Sequence, residues 1–258
     1  MEVSLTDFVA FMLALIRLTT FFAVIPLFSM RNVPLPAKIG LAALFSLAVR
    51  PSFRTELDLE SLSVLAVLSL QEVAVGLVLG LVVILVFAIV TFAGHYTDTP
   101  LGFGMASVFD PSLGGQIPVF SQFYHIVAAL VFFGADAHLW LLQAFSRSFS
   151  AIPFGRGISA ESSFALFMDL TQQIFSIGLR IALPIVATIL LTDIGLGIVI
   201  RAVPQINVFV LGFPVKIAVG LLVAVFAIPA VVVVISQLFA LDGLLFSYFY
   251  KLLGLGGS

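Results

Sequence analysis

Long apolar runs, separated by short polar or Gly/Pro-broken stretches, organise the chain from end to end. The first, Phe8 to Phe28, is interrupted by Arg17 and stops at Pro26 and the loop Ser29 to Pro36. The second, Ala37 to Val49, is shorter than the roughly 20 residues a spanning helix needs, which predicts a partial or tilted helix packed on the first. Arg50 to Ser61 carries Arg50, Arg54, Glu56, Asp58 and Glu60 and reads as a solvated loop. Leu62 to Phe92 stays apolar for about 30 residues, or ~45 Å of helix, so it must project beyond a hydrocarbon layer of ~30 Å or bend. Within it, Gly76 and Gly80 form a small-xxx-small pair that lets another helix approach closely.

From Ala93 to Val119 the pattern changes while the greasiness does not. Gly94, Pro100, Gly102, Gly104, Pro111, Gly114, Gly115 and Pro118 together forbid a continuous helix, yet Leu101, Phe103, Met105, Val108, Phe109, Leu113 and Ile117 keep the stretch apolar. Irregular backbone at membrane depth is tolerated where it is buried in protein or lines water, so this segment is predicted to be a re-entrant loop or plug. Phe120 to Phe145 is the next helical run, Arg147 to Glu161 a short polar turn, and Phe164 to Ile200 a helical stretch of ~55 Å that Pro184 should kink. Arg201 to Lys216 reads as the tip of a hairpin: one helix ends near Arg201, Gly212 takes φ > 0, and Pro214 opens the next helix. That helix runs to Ala240 with a kink at Pro229, and Leu241 to Ser258 is a short amphipathic tail.

Polar residues inside the apolar runs are the candidate functional side chains: Arg17, Glu72, Asp136, Asp169, Arg180 and Asp193. A charge at bilayer depth costs about 2.5–3.5 kcal/mol on insertion scales, so Arg17 should face protein or water. For Glu72, proton handling is weighed against a hydrogen-bonded structural carboxylate at a subunit contact, and the second reading is preferred. Asp136 and His138 lack the local spacing of a zinc site and mark, with Trp140, the end of a helix at an interface. Asp169 and Arg180 lie about three helical turns apart and share a face without touching, the spacing of contacts made to neighbours.

Composition sharpens this picture. Of 258 residues, 62% are hydrophobic and 9% charged, against about 25% charged in soluble domains, so the chain is an all-α membrane protein of long kinked hairpins. One domain over residues 1–258 is expected, with the first apolar run retained as a helix because it is too long for a signal core. A net charge of −2 and the lack of a Lys/Arg cluster argue against nucleic acid, and a cysteine count of 0 excludes disulfides and thiolate metal sites. Lys and Arg divide almost evenly between the two sides of a six-span threading, unlike an ordinary polytopic protein. No Ser/His/Asp or Cys/His set, phosphate-cradling loop or acidic pair points to an enzyme.

The run Arg-x-x-Pro-Gln-x-Asn-Val-Phe-x-x-Gly-Phe-Pro-x-Lys is read at Arg201, Pro204, Gln205, Asn207, Val208, Phe209, Gly212, Phe213, Pro214 and Lys216. It resembles the signature of the flagellar biosynthetic protein FliR family, an export-gate subunit of flagellar type III secretion. A second motif from Asp110 to Pro118, the chain length and the order of apolar segments extend the resemblance over nearly the whole chain. The resemblance implies bent helical hairpins packed into a helical, ring-like hetero-oligomeric gate, with FliP and FliQ as partners and FlhB associated. It places the protein at the flagellar basal body in the bacterial inner membrane, with unfolded flagellar proteins as cargo and no cofactor or metal. It also implies that the portion from Phe109 to Pro118, with Asp110, Pro111, Gly114 and Gly115, is a pore plug, to which the broken apolar segment before it adds Gly102 and Met105; the Arg201 to Lys216 tip is expected to be an assembly or gate-architecture element. The rival reading is a secondary transporter or ion channel, which the intramembrane charges and broken helices also suit. Against it stands the lack of a visible internal repeat with paired broken helices.

Overall fold

A computed structural model describes residues 5–26, 34–49, 62–103, 118–205 and 208–255. Among them the secondary structure is helical: α1 (Leu5–Val24), α2 (Leu35–Val49), α3 (Leu62–Leu101), α4 (Val119–Gly134), α5 (Ala137–Ala151), α6 (Ala160–Ala202), α7 (Val208–Phe239) and α8 (Leu244–Leu252). Four stretches among these residues are long and apolar enough to cross a membrane, in α1, α3, α6 and from Leu211 to Leu252. The all-α membrane class expected from composition is what the chain adopts.

The chain forms two compact units. The first comprises Met1–Val86, Asp136–Leu170 and Phe239–Ser258, and the second Phe87–Ala135 and Thr171–Leu238.

In the first unit α1 lies against α3 at the predicted small-residue pair. A Cβ on Gly76 would stand 2.5 Å from the Arg17 carbonyl oxygen, and one on Gly80 would stand 3.2 Å from Val24 Cγ1. Both helix axes therefore come as close as bare backbone allows. The short α2 packs on α1 as expected, turning Ala42, Ser46 and Val49 inward at helical spacing, and the Ser46 hydroxyl donates to the Phe11 carbonyl. Its opposite face exposes Leu44 and Leu47. Phe21 of α1 meets Phe145 of α5 at 4.3 Å between ring centroids and Phe249 of α8 at 6.4 Å, so three segments distant in sequence share one aromatic core. The tail is amphipathic as expected, burying Leu245, Phe246, Phe249 and Leu252.

In the second unit Phe87 stacks near Phe132 and His125 of α4, and Phe92 meets Phe175 of α6 edge-on at 5.1 Å. Leu101 is fully buried against Gly220 of α7, where a Cβ would stand 2.1 Å from Leu101 Cδ2. Pro184 and Pro229 sit inside α6 and α7 rather than ending them.

Several boundaries differ from the sequence expectation. The stretch taken as irregular from Ala93 is helical to Leu101, with Gly94 and Pro100 inside α3. Gly94 is there because α4 crosses at that point, and Pro100 falls in the last turn, where one lost intrahelical bond ends a helix already ending. The run Phe120 to Phe145 divides at Ala135–Asp136, with Asp136 in the left-handed region at φ 53°. Asp136 is thus an exposed turn residue between two helices and not a charge inside a run. The polar turn begins after Ala151, since α5 continues through Arg147. At the hairpin tip α7 starts at Val208, so Gly212 and Pro214 lie inside a helix. Gly212 is buried there in right-handed conformation, and the inferred φ > 0 is corrected: the apolar residues 208–211 extend the helix N-terminally past the proline.

Candidate functional site

The deepest polar group of the first unit is Arg17, whose side chain is 0% exposed. Its Nε donates to Glu72 Oε2 at 2.5 Å, Nη1 to the Ser148 carbonyl at 3.2 Å and hydroxyl at 3.4 Å, and Nη2 to the Ile152 carbonyl at 3.0 Å. The guanidinium also lies 4.6 Å from the Phe149 ring centroid and 5.5 Å from that of Phe154. Glu72, 1% exposed, takes a further hydrogen bond from the Gly155 main chain. Each of the three guanidinium nitrogens thereby has an acceptor, an arrangement that a lysine could not reproduce. Arg17 faces protein as expected. Glu72 is the hydrogen-bonded carboxylate that was preferred, though its partner lies in the same chain. The pair ties α1 to α3, to the end of α5 and to the turn after it.

Asp169 of α6 accepts a hydrogen bond from the Tyr248 hydroxyl of α8, and Lys251 stands 5.0 Å from the Tyr248 ring. Tyr248→Phe should remove that one bond and cost about 1 kcal/mol, read as a small fall in the thermal unfolding temperature of the purified protein. A large loss would mean that the hydroxyl does more than hold α8.

In the second unit the two helix ends that bracket residues 104–117 are fixed on both sides. On the α3 side, Gly102 adopts φ +85°, open to glycine at no steric cost, and the Phe213 ring of α7 occupies the space a Cβ would take, 2.8 Å away. Lys216, one turn further along α7, lies over the Phe213 ring at 5.9 Å and forms an ion pair with Asp193 of α6. On the α4 side, the buried Asp98 carboxylate accepts the Phe120 N–H at 2.8 Å and the Ser121 N–H at 3.1 Å. One turn before it, Gly94 lets the Ser121 backbone approach so closely that a Cβ would stand 2.2 Å from Ser121 Cα. Phe103 and Phe120, flanking the bracket, stand 6.2 Å apart between centroids.

Of the predicted plug residues, Gly102 and Pro118 occupy the two ends of this bracket; Met105, Phe109, Asp110, Pro111, Gly114 and Gly115 lie outside the described residues. At the tip, Arg201, Pro204 and Gln205 are exposed, Asn207 lies outside the described residues, and Phe209 is in the first turn of α7. Arg180 is exposed and lines a groove of about 320 Å³ between α6 and α7 with Ile181, Pro184, Phe226 and Ala227. Lys216 and Asp193, counted separately in the sequence, are brought together.

Over residues 8–241 the chain matches the family described as bacterial export proteins, family 1. It is 36% identical to the flagellar biosynthetic protein FliR of Bacillus subtilis (strain 168), covering 91% of this chain and 92% of that one. The chain belongs to the FliR family. The FliR of Escherichia coli (strain K12) is 30% identical over 88% of this chain and 87% of its own, and that of Aquifex aeolicus (strain VF5) 25% identical over 94% of each. As a FliR-family member with several helices apolar enough to span a bilayer, it is a membrane subunit of the flagellar type III protein export gate.

Asp98 and Ser148 were missed in the sequence, and Gly94 was read there as a helix breaker and not as the seat of a close helix contact. One signal was present for Asp98: Pro118 precedes the next helix and offers no side-chain acceptor to its first amides, so an acceptor had to come from elsewhere.

Proposed function

We propose that this chain builds part of the export pore together with FliP and FliQ, with FlhB associated, in the bacterial inner membrane at the flagellar basal body. Unfolded flagellar proteins pass through that pore during flagellum assembly. Residues 104–117, with Gly102 and Pro118 at their ends, obstruct it at rest, and the tip from Arg201 to Lys216 is an assembly element. The chain acts as a conduit and not as a catalyst.

The observation that carries this reading is the bracket: the end of the long α3 and the start of the shorter α4 lie side by side in the second unit, and both ends are anchored by buried contacts. An apolar segment held in that way can exclude water and ions from a narrow passage, since hydrophobic constrictions seal by dewetting. Of the six charges that suggested a transporter, four have internal partners, Arg17 with Glu72, Asp193 with Lys216 and Asp169 with Tyr248, while Asp136 and Arg180 are exposed.

Deleting Met105 to Gly115 and expressing the chain with its partners should raise the permeability of cells to small ions while the complex still assembles. Permeability at the wild-type level in an intact complex would refute the plug role. Copurification separates the rival classes, because a gate subunit comes out with other chains and a transporter as a monomer or homodimer.

A further inference from the structure

The geometry points to Asp98 as a positioning residue for export, acting through the main-chain amides of Phe120 and Ser121 to hold the start of α4 on α3. A helix leaves its first N–H groups without intrahelical partners, and these are ordinarily satisfied by a Ser, Thr, Asp or Asn side chain at the residue before the helix. Here that residue is Pro118, which makes no side-chain cap. The amides of the second and third helical residues turn instead to one carboxylate on another helix, each oxygen taking one N–H. A local cap travels with its helix. A cap supplied from α3 ties the beginning of α4 to the helix that ends at Leu101, and so fixes the distance between the two flanks of residues 104–117.

The neighbouring contacts show that this distance is specified closely. Gly94, one turn before Asp98, removes the side chain that would hold Ser121 away, and Tyr124, one turn into α4, is buried. Asp98 is 3% exposed, and a carboxylate at that depth is tolerated because both oxygens meet N–H groups at the positive end of a helix dipole. On the other flank Gly102 is held by Phe213. With Asp98 removed, α4 keeps its own length and its ring contacts to Phe87, but its first turn is no longer fastened to α3.

The inference rests on the reading of residues 104–117 as the obstruction, and its test separates the two. The assembled export complex is prepared with wild-type protein, Asp98→Asn and Asp98→Ala, each with and without deletion of Met105 to Gly115. Hydrogen exchange is followed in the peptide containing Phe120 and Ser121, and ion permeability is measured in cells. Asp98→Ala should speed exchange at those amides roughly two- to thirtyfold, the factor a lost cap is worth, and Asp98→Asn, which keeps one acceptor oxygen, less. Asp98→Ala should raise permeability when residues 105–115 are present and add nothing to the deletion. Unchanged exchange, an effect that adds to the deletion, or loss of the assembled complex in both Asp98 variants would overturn the proposal. A leaky deletion beside an Asp98→Ala complex as tight as wild type would overturn it alone; a deletion without leak would remove the plug reading beneath it.

Discussion

Replacing either Arg17 or Glu72 alone with leucine should strip the protein from the membrane fraction. Arg17 is fully buried and Glu72 nearly so, and each single change leaves the other polar group buried with its principal partner gone. Breaking a buried pair from one side costs on the order of 3–5 kcal/mol, a large share of the roughly 5–15 kcal/mol that holds a domain folded. Arg17→Lys should fail nearly as badly, because one ammonium cannot reach Glu72, the Ser148 carbonyl and the Ile152 carbonyl together. The double variant Arg17→Leu with Glu72→Leu leaves no charge to desolvate and should recover much of the loss. Steady-state amounts in membranes and unfolding temperature in detergent report all four. If the double variant were no better than the singles, the packing of α1 on α3 would matter more than the pair itself.

Gly94→Ala should be the most damaging single methyl group in the second unit. The new Cβ would lie 2.2 Å from Ser121 Cα and 2.4 Å from its nitrogen, and backbone cannot rotate aside. The first turn of α4 would have to lift off α3, taking the Phe120 and Ser121 amides from the Asp98 carboxylate. Overpacking of this kind costs about 1–3 kcal/mol, and the lost cap adds about 0.5–2 kcal/mol. Gly195→Ala is the control, since nothing lies within 4 Å of its added methyl. The expected result is a large fall in assembled complex for Gly94→Ala and none for Gly195→Ala, measured by copurification with partner chains. Equal behaviour of the two would mean that α4 can shift freely on α3.

These two sites also mark how far the sequence could be read. That Arg17 turns away from lipid follows from its place within an apolar run, and that Gly76 and Gly80 receive another helix follows from their spacing. Both are local properties. Which carboxylate meets Arg17 is not: Glu72 lies 55 residues away, and Asp136 or Asp169 had equal standing until the chain folded. The Asp98 cap joins residues 22 and 23 positions apart across a stretch whose glycines and prolines argued for irregular backbone.

Helix boundaries diverged for the same reason. A glycine in a helix costs about 1 kcal/mol relative to alanine and a proline about 3, penalties that can be counted along the sequence. Whether they end a helix depends on what the helix packs against. At Gly94 the close approach of Ser121 offsets the penalty and α3 continues to Leu101, while at the tip α7 runs through Pro214 and carries Phe213 to Gly102. At Gly134 the same single-glycine penalty does end a helix, and the run breaks before Asp136. By itself, then, the sequence determined the helical class, the membrane setting, the exclusion of Arg17 from lipid and, through the motif from Arg201 to Lys216, the family. Partners across long separations, and the residues at which helices end, were decided by tertiary structure, because both depend on side chains brought together from distant runs and periodicity along one run carries no record of its neighbours.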